Sequence, residues 1–405
     1  MTGPLHDLRV FDLTRILAGP TCTQILGDLG ADVIKIEQPG DGDDTRHFAP
    51  PFIRDAEGND TGESAYFCSS NRNKRSITLN IAEKEGQDLA RRLVACSDIF
   101  IENFKFGGLK KYGLSYADLQ KDNPGLIYCS ITGFGHTGPY AERPGYDVLI
   151  QAMGGFMSIT GDPDGEPQKA GIPIADLMAG MYAAVAVNAA LRHREKTGEG
   201  QHIDIGMLDT MTATLSIMGM NYLATGVAPK RLGNAHPSIV PYQAFATADG
   251  NMVLAAANDA QYQRFCDFAG VPELAADDSY KTNEMRVRNR DELVEKLQTV
   301  IGEKPTKHWV EGLEKVNVSC GPINTVEQVF SDPQVNARGM KLDMPHAATG
   351  EAQVHLIASP IKMSKTGAEY RHAPPMLGQH TEEVLKQLLD IGADEITQLR
   401  QRGII

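Results

Sequence analysis

At Ala170-Gly171-Ile172-Pro173-Ile174-Ala175-Asp176 the chain turns into a long predicted helix, an alanine-rich run that reaches Arg194. Pro173 marks an entry turn, so Asp176 falls at the N-cap or in the first turn of that helix. Asp is a favoured N-cap residue, and this structural role alone accounts for its position. A helix N-terminus also stabilises an ionised carboxylate, and the small residues beside it leave open space. Asp176 is therefore also a candidate nucleophile.

Length, composition and charge exclude several classes of protein. The chain has 405 residues, of which 41% are hydrophobic and 22% are charged, and its formal net charge is −13. This length allows two domains, and an acidic chain without a basic tail is not expected to bind nucleic acid. The sequence shows neither a secretory leader nor an apolar run of membrane-spanning length. We therefore expect a cytoplasmic protein that binds neither nucleic acid nor a membrane.

The cysteines give no sign of a metal site. Six of them are scattered along the chain, with no CxxC pair and no histidine cluster nearby. Metal sites and disulfide frameworks both need closer or more regular spacing. We expect neither.

Strand-like and helix-like segments alternate through the first third of the chain. Helical patterns lie over 20–30, 84–95 and 116–122. Short apolar runs typical of buried strands lie at 8–13, 32–37, 77–79, 99–102, 126–131 and, after the long helix, 201–205. Such alternation predicts an α/β fold, in which a parallel sheet carries helices on its faces. Ligands on such sheets bind at the carboxyl ends of the strands.

A long polar stretch, residues 38–75, separates the second and third predicted strands. It reads as a loop that is either functional or disordered, because compact domains seldom contain long irregular connections. It ends in the basic cluster Asn71-Arg72-Asn73-Lys74-Arg75. A solvated charge run is the ordinary interpretation, and a phosphate clamp is the alternative. A second basic set, Lys105, Lys110 and Lys111, follows the fourth strand.

The run Gly133-Phe134-Gly135-His136-Thr137-Gly138 matches the G-x-G-x-x-G pattern of dinucleotide-binding proteins. That interpretation requires the motif to open a helix. Pro139 and Pro144 prevent a helix here. The run is therefore predicted to be a glycine-rich loop that shapes a pocket with its backbone.

Two Pro/Gly-rich shifts in composition divide the chain. We predict a large domain over 1–225, ending in a methionine-rich buried helix at 207–223, and a linker at 226–240. A smaller α+β domain follows at 241–320, then a second linker at 321–345 and a C-terminal part at 346–405.

Short motifs along nearly the whole chain resemble those of family III CoA-transferases, the CaiB–BaiF family. The resemblance implies a doubly wound, Rossmann-like large domain, to which residues 346–405 return, and a homodimer of interlocked rings with the active site between subunits. The motifs are Leu17-Ala18-Gly19-Pro20, Ala31-Asp32-Val33-Ile34-Lys35-Ile36-Glu37, Asn73-Lys74-Arg75-Ser76, Glu102-Asn103-Phe104, Ser130-Ile131-Thr132-Gly133-Phe134-Gly135, Gly138-Pro139, Gly145-Tyr146-Asp147, Asp176 before its helix, and Leu377-Gly378-Gln379-His380-Thr381.

The family's catalytic carboxylate matches Asp176. The implied chemistry is attack by this aspartate on an acyl-CoA thioester, giving a mixed anhydride and then an aspartyl-CoA thioester. CoA would be a substrate, and no tightly bound cofactor is expected. The positions that resemble the CoA-binding set are Ala18, Leu79, Asn103, Phe104, Lys105, Lys111 and Tyr140, with Lys74 and Arg75 as phosphate partners.

The region around 231–245 closely resembles the branch that moves CoA from succinyl-CoA to glutarate and related dicarboxylates. The second carboxylate of such a substrate needs a cationic or multiply donating partner. The candidate substrate-binding residues are Leu17, Arg46, Arg231 and His236. Leu17 stands where formyl-CoA:oxalate CoA-transferases carry Gln, which disfavours oxalate and formate.

Four other readings stay open at this point. The chain could be an acyl-CoA racemase or isomerase, although Tyr146 replaces the histidine that the racemase branch carries. It could move CoA within one dicarboxylate, such as mesaconyl-CoA, or be a formyl-CoA:oxalate CoA-transferase. It could also be a CoA-binding protein in which Asp176 is only a helix cap.

Overall fold

A computed structural model of the chain describes residues 3–405. The strands are β1 Arg9–Leu13, β2 Asp32–Glu37, β3 Phe52–Arg54, β4 Asp60–Ser64, β5 Lys74–Thr78, β6 Ile99–Glu102, β7 Ile127–Thr132, β8 Gln201–Gly206, β9 Tyr242–Ala246, β10 Asn251–Ala255, β11 Ser319–Pro322, β12 Lys341–Pro345 and β13 Gln353–Ile357. The helices are α1 Ala18–Asp28, α2 Ala65–Ser69, α3 Lys84–Ala95, α4 Tyr116–Leu119, α5 Asp147–Met153, α6 Phe156–Ile159, α7 Ile174–Thr197, α8 Met207–Thr214, α9 Ser216–Thr225, α10 Asp259–Ala269, α11 Pro272–Ala276, α12 Asn283–Arg288, α13 Arg290–Gly302, α14 Thr306–Lys315, α15 Val326–Ser331, α16 Pro333–Ala337, α17 Thr381–Leu389 and α18 Ala393–Gln401.

The central sheet is parallel, as the alternation of strands and helices predicts. Its strands lie in the order β5-β2-β1-β6-β7-β8, and each neighbouring pair is parallel. Counted along the chain, this is the doubly wound order 3-2-1-4-5-6. The order reverses between β1 and β6, so the loops after these two strands diverge and leave a crevice at the carboxyl edge.

Apolar side chains cover both faces of this sheet. On one face, α1, α7 and α8 pack against β1, β6 and β7. On the other face, α3 and the C-terminal helices α17 and α18 bury their apolar stripes against Phe11, Phe100 and Tyr128. Burial of both faces explains why the strands read as continuous apolar runs.

Helix α7 packs closely on α1 through small residues. Ala179 and Ala183 are fully buried, and a Cβ on Gly180 would lie 2.6 Å from the carbonyl oxygen of Ala18. By length and composition α7 could cross a membrane, so the prediction that the chain holds no such run is wrong. Its contacts with α1 and the sheet are those of a core helix in an α/β unit.

The stretch 38–75 is not an irregular loop. It contains a 3₁₀ turn at Asp44–His47, the β3–β4 hairpin and α2, and β5 already begins at Lys74. The sequence suggested a loop because charged residues are usually solvated. Here Asp43, Arg46, Arg72, Lys74 and Arg75 are buried in ion pairs, which cost less to bury than single charges.

The chain divides into two compact units. The first comprises the chain up to Phe156, Lys169–Gly226 and Gln334–Ile405; the second comprises Met157–Gln168 and Val227–Pro333. The segment Met157–Gln168, predicted to belong to the large domain, lies in the second unit. The Arg231 side chain holds it there by donating to the carbonyls of Asp162 and Gly165.

The second unit contains the antiparallel sheet β11-β10-β9, covered by helices around the buried Trp309. The predicted linker at 321–345 is not featureless, because it holds α15, α16 and β12.

In the first unit, the predicted buried helix at 207–223 is two helices that meet at Ser216, whose φ is +45°. Helix α9 buries none of its residues, and the side chain of its Leu223 is 74% exposed.

Candidate active site

A cavity of about 250 Å³ lies in the first unit, where the loops after β1, β6 and β7 meet the N-terminus of α7. This is the reversal point of the strand order, where α/β sheets bind their ligands. It is lined by Arg15, Ile16, Ala18, Asp44, Phe48, Asn103, Phe104, Lys105, Phe106, Ile131, Thr132, Gly133, Ala141, Arg143, Pro144, Gly145, Tyr146, Asp147, Asp176 and Met207.

Asp176 lies in the first turn of α7, as predicted, but it is not the cap of that helix. Asp147, at the start of α5, accepts hydrogen bonds from the backbone N–H groups of Ala175 at 2.8 Å and of Asp176 at 3.4 Å. Gln151 donates to the other oxygen of Asp147 at 2.6 Å. The capping function therefore belongs to Asp147, and the Asp176 carboxyl is left to face the cavity.

The Asp176 carboxyl is not expected to be fully ionised at neutral pH. Burial, with a smaller contribution from the charge of Asp147, raises its pKa to about 7. Within residues 3–405, no donor makes a hydrogen bond to this side chain. A carboxylate with a raised pKa is more basic, and it is a better nucleophile in its ionised form than an ordinary surface carboxylate.

The loop after β1 is held rigidly against the loop after β6. Asn103 accepts the backbone N–H of Arg15 at 3.0 Å and donates to the carbonyl of Arg15 at 2.6 Å. Ile16 has φ of +69°, which is unfavourable for a β-branched residue. The backbone N–H of Ile16 donates to Asp43, whose carboxylate is fixed by the fully buried Lys35 at 2.8 Å. Strained backbone held in this way is typical of ligand-binding sites.

A row of polar side chains supports the loop after β6 from below. Glu102, the last residue of β6, accepts the backbone N–H of Phe104 at 2.7 Å. Ser130 lies opposite Glu102 on β7, and its hydroxyl lies 3.0 Å from Nε2 of His202 on β8. Burial raises the pKa of Glu102 to about 7, against the opposing hydrogen bonds from Ser130 and Phe104. The row sets the position of the cavity wall formed by Phe104 and its neighbours.

The glycine-rich loop after β7 opens no helix and forms part of the cavity wall. A Cβ on Gly133 would lie 2.6 Å from Cα of Gly145, so only glycine allows this approach. The N–H of Gly135 donates to Thr132, and that of His136 donates to Asp204. These two donors are therefore already used within the protein, and the loop contributes mainly its shape.

Four of the predicted CoA-binding residues lie at this cavity with Asp176: Ala18, Asn103, Phe104 and Lys105. The remaining predicted positions lie elsewhere. Leu79 is buried in an apolar core, and Leu17, from the predicted substrate-binding set, is buried as well. The ring of Tyr140 packs against the guanidinium of Arg143, whose Cζ lies 3.9 Å from the ring centroid. Lys111 lies on the surface, over the ring of Tyr112.

The phosphate partners predicted on β5 are engaged in ion pairs. Lys74 is fully buried 3.2 Å from Asp12, and burial lowers its pKa to about 8. Arg75 pairs with both oxygens of Asp32 and with Glu383. Both cations are thus engaged by carboxylates, and a phosphate-binding role for Lys74 and Arg75 stays a prediction. Strand β5 starts three residues earlier than expected, which draws both side chains into the protein.

None of the three cations proposed for a second carboxylate lines the cavity. Arg46 is buried against Glu37 in a bidentate pair, with Glu63 as a third contact, so it has no free edge. Arg231 and His236 belong to the second unit and do not line this cavity. The guanidinium of Arg231 is occupied by backbone carbonyls.

Several cavity residues were not among the predicted site residues, chiefly Arg15, Asp44, Arg143 and Asp147. A signal for Arg15 was present, because it lies two residues after the end of β1, at the carboxyl edge of the sheet. Asp147 was noticed only as part of a motif. Nothing local in the sequence shows that it caps a helix that begins twenty-seven residues later.

Comparison with known proteins shows which family this chain resembles. A family model described as CoA-transferase family III matches residues 5–381. Succinate–glutarate CoA-transferase of Agrobacterium fabrum is 48% identical over 385 residues, covering 95% of this chain and 96% of that protein. Succinyl-CoA:glutarate CoA-transferase of Mus musculus is 44% identical over 402 residues, covering 99% and 90%. A CaiB/BaiF family protein from Brucella suis has a solved structure with a TM-score of 0.86 and 49% identity, covering 96% of this chain and all of that one.

Proposed function

The chain belongs to CoA-transferase family III, and from this premise we propose that it moves CoA from succinyl-CoA to glutarate or a closely related dicarboxylic acid. The observation that carries the proposal is the Asp176 carboxyl, which faces the cavity at the carboxyl edge of the sheet without a hydrogen-bond donor among residues 3–405. The names of the two relatives support the choice of donor and acceptor.

In the proposed reaction, a carboxylate oxygen of Asp176 attacks the thioester carbonyl of succinyl-CoA. The carbon–sulfur bond breaks, CoA leaves as a thiolate, and a mixed anhydride remains. The thiolate then attacks the aspartyl carbonyl and releases succinate, which leaves an aspartyl-CoA thioester. Glutarate attacks that thioester, and the returning thiolate cleaves the new anhydride on its glutaryl side. Glutaryl-CoA and the free Asp176 carboxylate result.

Each of these intermediates is at the acyl level of a thioester, so no external energy source is needed. Water would destroy them, and the apolar walls of Ile16, Phe104 and Met207 would limit its access. Lys105 and Arg143 lie at the same cavity and would attract the CoA phosphates. CoA in this scheme is a substrate rather than a resident cofactor.

The alternative reactions have less support. A racemase needs an acid and a base on opposite sides of the α-carbon. Tyr146 stands where the racemase branch carries histidine, and none of the cavity-lining residues is a histidine. Oxalate or formate transfer is disfavoured because Leu17, a buried apolar residue, stands where formyl-CoA:oxalate CoA-transferases carry Gln. CoA migration within one dicarboxylate would use the same Asp176 chemistry and is separated from transfer by the choice of substrates.

The proposal includes a cytoplasmic homodimer of interlocked subunits. Its support is the apolar surface on α7 and α9, where Val185 and Leu223 are 68% and 74% exposed. Apolar surface of this kind is usually covered by another protein surface. Sedimentation equilibrium should give twice the chain mass of 44.0 kDa, and a monomer would contradict this part.

The test of the main proposal is an assay of succinyl-CoA with glutarate, malate, itaconate, mesaconate, oxalate and formate, each followed by formation of its CoA ester. The native protein and Asp176→Asn are compared. Transfer to dicarboxylates that is lost in the variant is the expected result. A native protein that transfers CoA to none of these acids, or a fully active variant, would overturn the proposal.

A further inference from the structure

Arg15 is a cation of the cavity with most of its donors unused. Its side chain is 58% exposed, and Nη1 donates to Asp44 at 3.1 Å. Within residues 3–405, the remaining guanidinium N–H groups donate to no side chain or carbonyl. One edge of a planar fork that suits carboxylates is therefore open to the cavity.

The backbone that carries Arg15 is fixed before any ligand arrives. Asn103 bonds both the N–H and the carbonyl of Arg15, and the following residue, Ile16, is held at φ +69° by Asp43. A pre-positioned cation loses less conformational freedom on binding than one on a mobile loop. Three hydrogen bonds and a strained backbone conformation therefore fix the position of Arg15.

The loop of Arg15 also lies beside the nucleophile. Helix α1 begins at Ala18, whose carbonyl oxygen would lie 2.6 Å from a Cβ on Gly180, one turn after Asp176 on α7. Arg15 and Asp176 line the same cavity. An acyl group attached to Asp176 therefore lies near the Arg15 loop. In a short dicarboxylate, the second carboxylate is only a few bonds from the acyl carbon that Asp176 holds.

The other cations of the cavity fit this task less well. The guanidinium of Arg143 stacks on the ring of Tyr140 at 3.9 Å on an exposed loop. The carbonyl of Lys105 accepts the N–H of Gly108, so Lys105 lies in a turn. Its ammonium group is a point charge and cannot form the bidentate pair that a guanidinium forms with a carboxylate. The guanidinium of Arg46 is buried and already paired with the carboxylate of Glu37.

We propose that Arg15 binds the distal carboxylate of the dicarboxylic substrate and so determines specificity for diacids over monoacids. The inference rests on the proposed transferase function and refines its substrate recognition. Asp44 holds one edge of the guanidinium in the free protein, and the free edge accepts the substrate carboxylate in a bidentate pair. A monocarboxylate of the same length gains nothing from Arg15.

The test compares glutarate with valerate, five-carbon acids that differ by the terminal carboxylate. With succinyl-CoA as common donor, kcat/KM for each acid is measured in the native protein, Arg15→Gln and Arg15→Lys. The ratio of the two values cancels any effect on the donor step, because both share that step. We expect Arg15→Gln to lower the glutarate-to-valerate ratio about 100-fold, with Arg15→Lys in between. Where valerate reacts too slowly, its inhibition constant against glutarate replaces its kcat/KM.

Arg54→Gln is the matched control. Arg54 is also exposed and also paired with an aspartate, Asp60, but it lies on the β3–β4 hairpin and does not line the cavity. Its ratio should equal that of the native protein. Circular dichroism and thermal unfolding show whether each variant is folded.

An unchanged ratio in Arg15→Gln, whether both acids slow equally or neither does, would overturn the assignment. An equal loss of kcat/KM for both acids would indicate that Arg15 contacts the CoA part of the substrate. If the native protein transfers CoA to dicarboxylates and needs Asp176, only the Arg15 inference has then failed. If the native protein transfers to no acid, the proposed function has failed and this inference with it.

Discussion

Asp147 accepts the backbone N–H of Asp176 at 3.4 Å, at the N-terminus of the helix that presents Asp176 to the cavity. The same carboxylate has two effects. It satisfies the otherwise unpaired N–H groups of the first turn, and its negative charge helps burial to raise the pKa of Asp176. A single residue therefore positions the proposed nucleophile and adds to the effect of burial on its pKa.

Asp147→Asn should separate these two effects. The amide oxygen can still accept the N–H of Ala175, so the helix remains capped, but the negative charge is gone. The pKa of Asp176 should fall below about 7, and the acid limb of kcat/KM for succinyl-CoA should move to lower pH. Rates measured from pH 5 to pH 9 check this. Asp44→Asn removes another carboxylate of the cavity and should leave the limb in place; an unmoved limb in Asp147→Asn would contradict the prediction.

Asp176→Asn should stabilise the protein, and more so at pH 8 than at pH 5. The folded-state pKa of Asp176, about 7, lies above its ordinary value of 3.8, so the folded state binds more protons than the unfolded state between these values. Native stability therefore falls as pH rises through this window. Asparagine is neutral throughout, so its advantage grows by on the order of 1–3 kcal/mol across the window. Urea unfolding at both pH values measures it, and a pH-independent difference would count against the raised pKa.

Much of the fold could be predicted from the sequence because the signals are local. The central strands are continuous apolar runs, and the helices between them show their own period, so the parallel sheet follows from alternation alone. Asn103 and Asp176, by contrast, were assigned to one site by the resemblance to the family and not by this alternation. The rule that ligands bind at the carboxyl ends of strands, applied to β1, indicates Arg15, which lies two residues after that strand.

The ion pairs could not be predicted in this way. The cluster at 71–75 reads as solvated, but its partners are Asp12, Asp28, Asp32 and Glu383, which are remote in sequence. Whether a basic residue binds a ligand or a buried carboxylate depends on these long-range contacts. The polar row beneath the cavity is similar, because Ser130 on β7 links Glu102 on β6 with His202 on β8, and only the sheet brings these three strands together.

Lys74→Met tests the structural reading of that cluster. Lys74 and Asp12 are both fully buried, so removal of the lysine leaves a buried carboxylate with weaker compensation. We expect a loss of about 3–5 kcal/mol in unfolding free energy. The KM for succinyl-CoA of the folded protein should stay within about twofold, because a buried lysine does not reach a phosphate. Lys111→Met, on the surface, should leave stability nearly unchanged. A large rise in KM with unchanged stability would instead support the phosphate-clamp hypothesis.

Asn103 offers a final test, because one or both of its hydrogen bonds to Arg15 can be removed by substitution. Asn103→Asp keeps the acceptor for the Arg15 N–H but loses the donor to the Arg15 carbonyl; Asn103→Ala loses both. Each lost bond should cost about 1 kcal/mol in unfolding free energy.

The same variants should also change the rate. The strained φ of Ile16 should relax once the loop is released, which misplaces the cavity wall. We therefore expect kcat/KM for glutarate to fall in the order native, Asp, Ala, by about tenfold or more at the last step. Steady-state rates and urea unfolding measured on the same samples check both parts. Equal rates in all three proteins would show that the position of the Arg15 loop does not depend on Asn103.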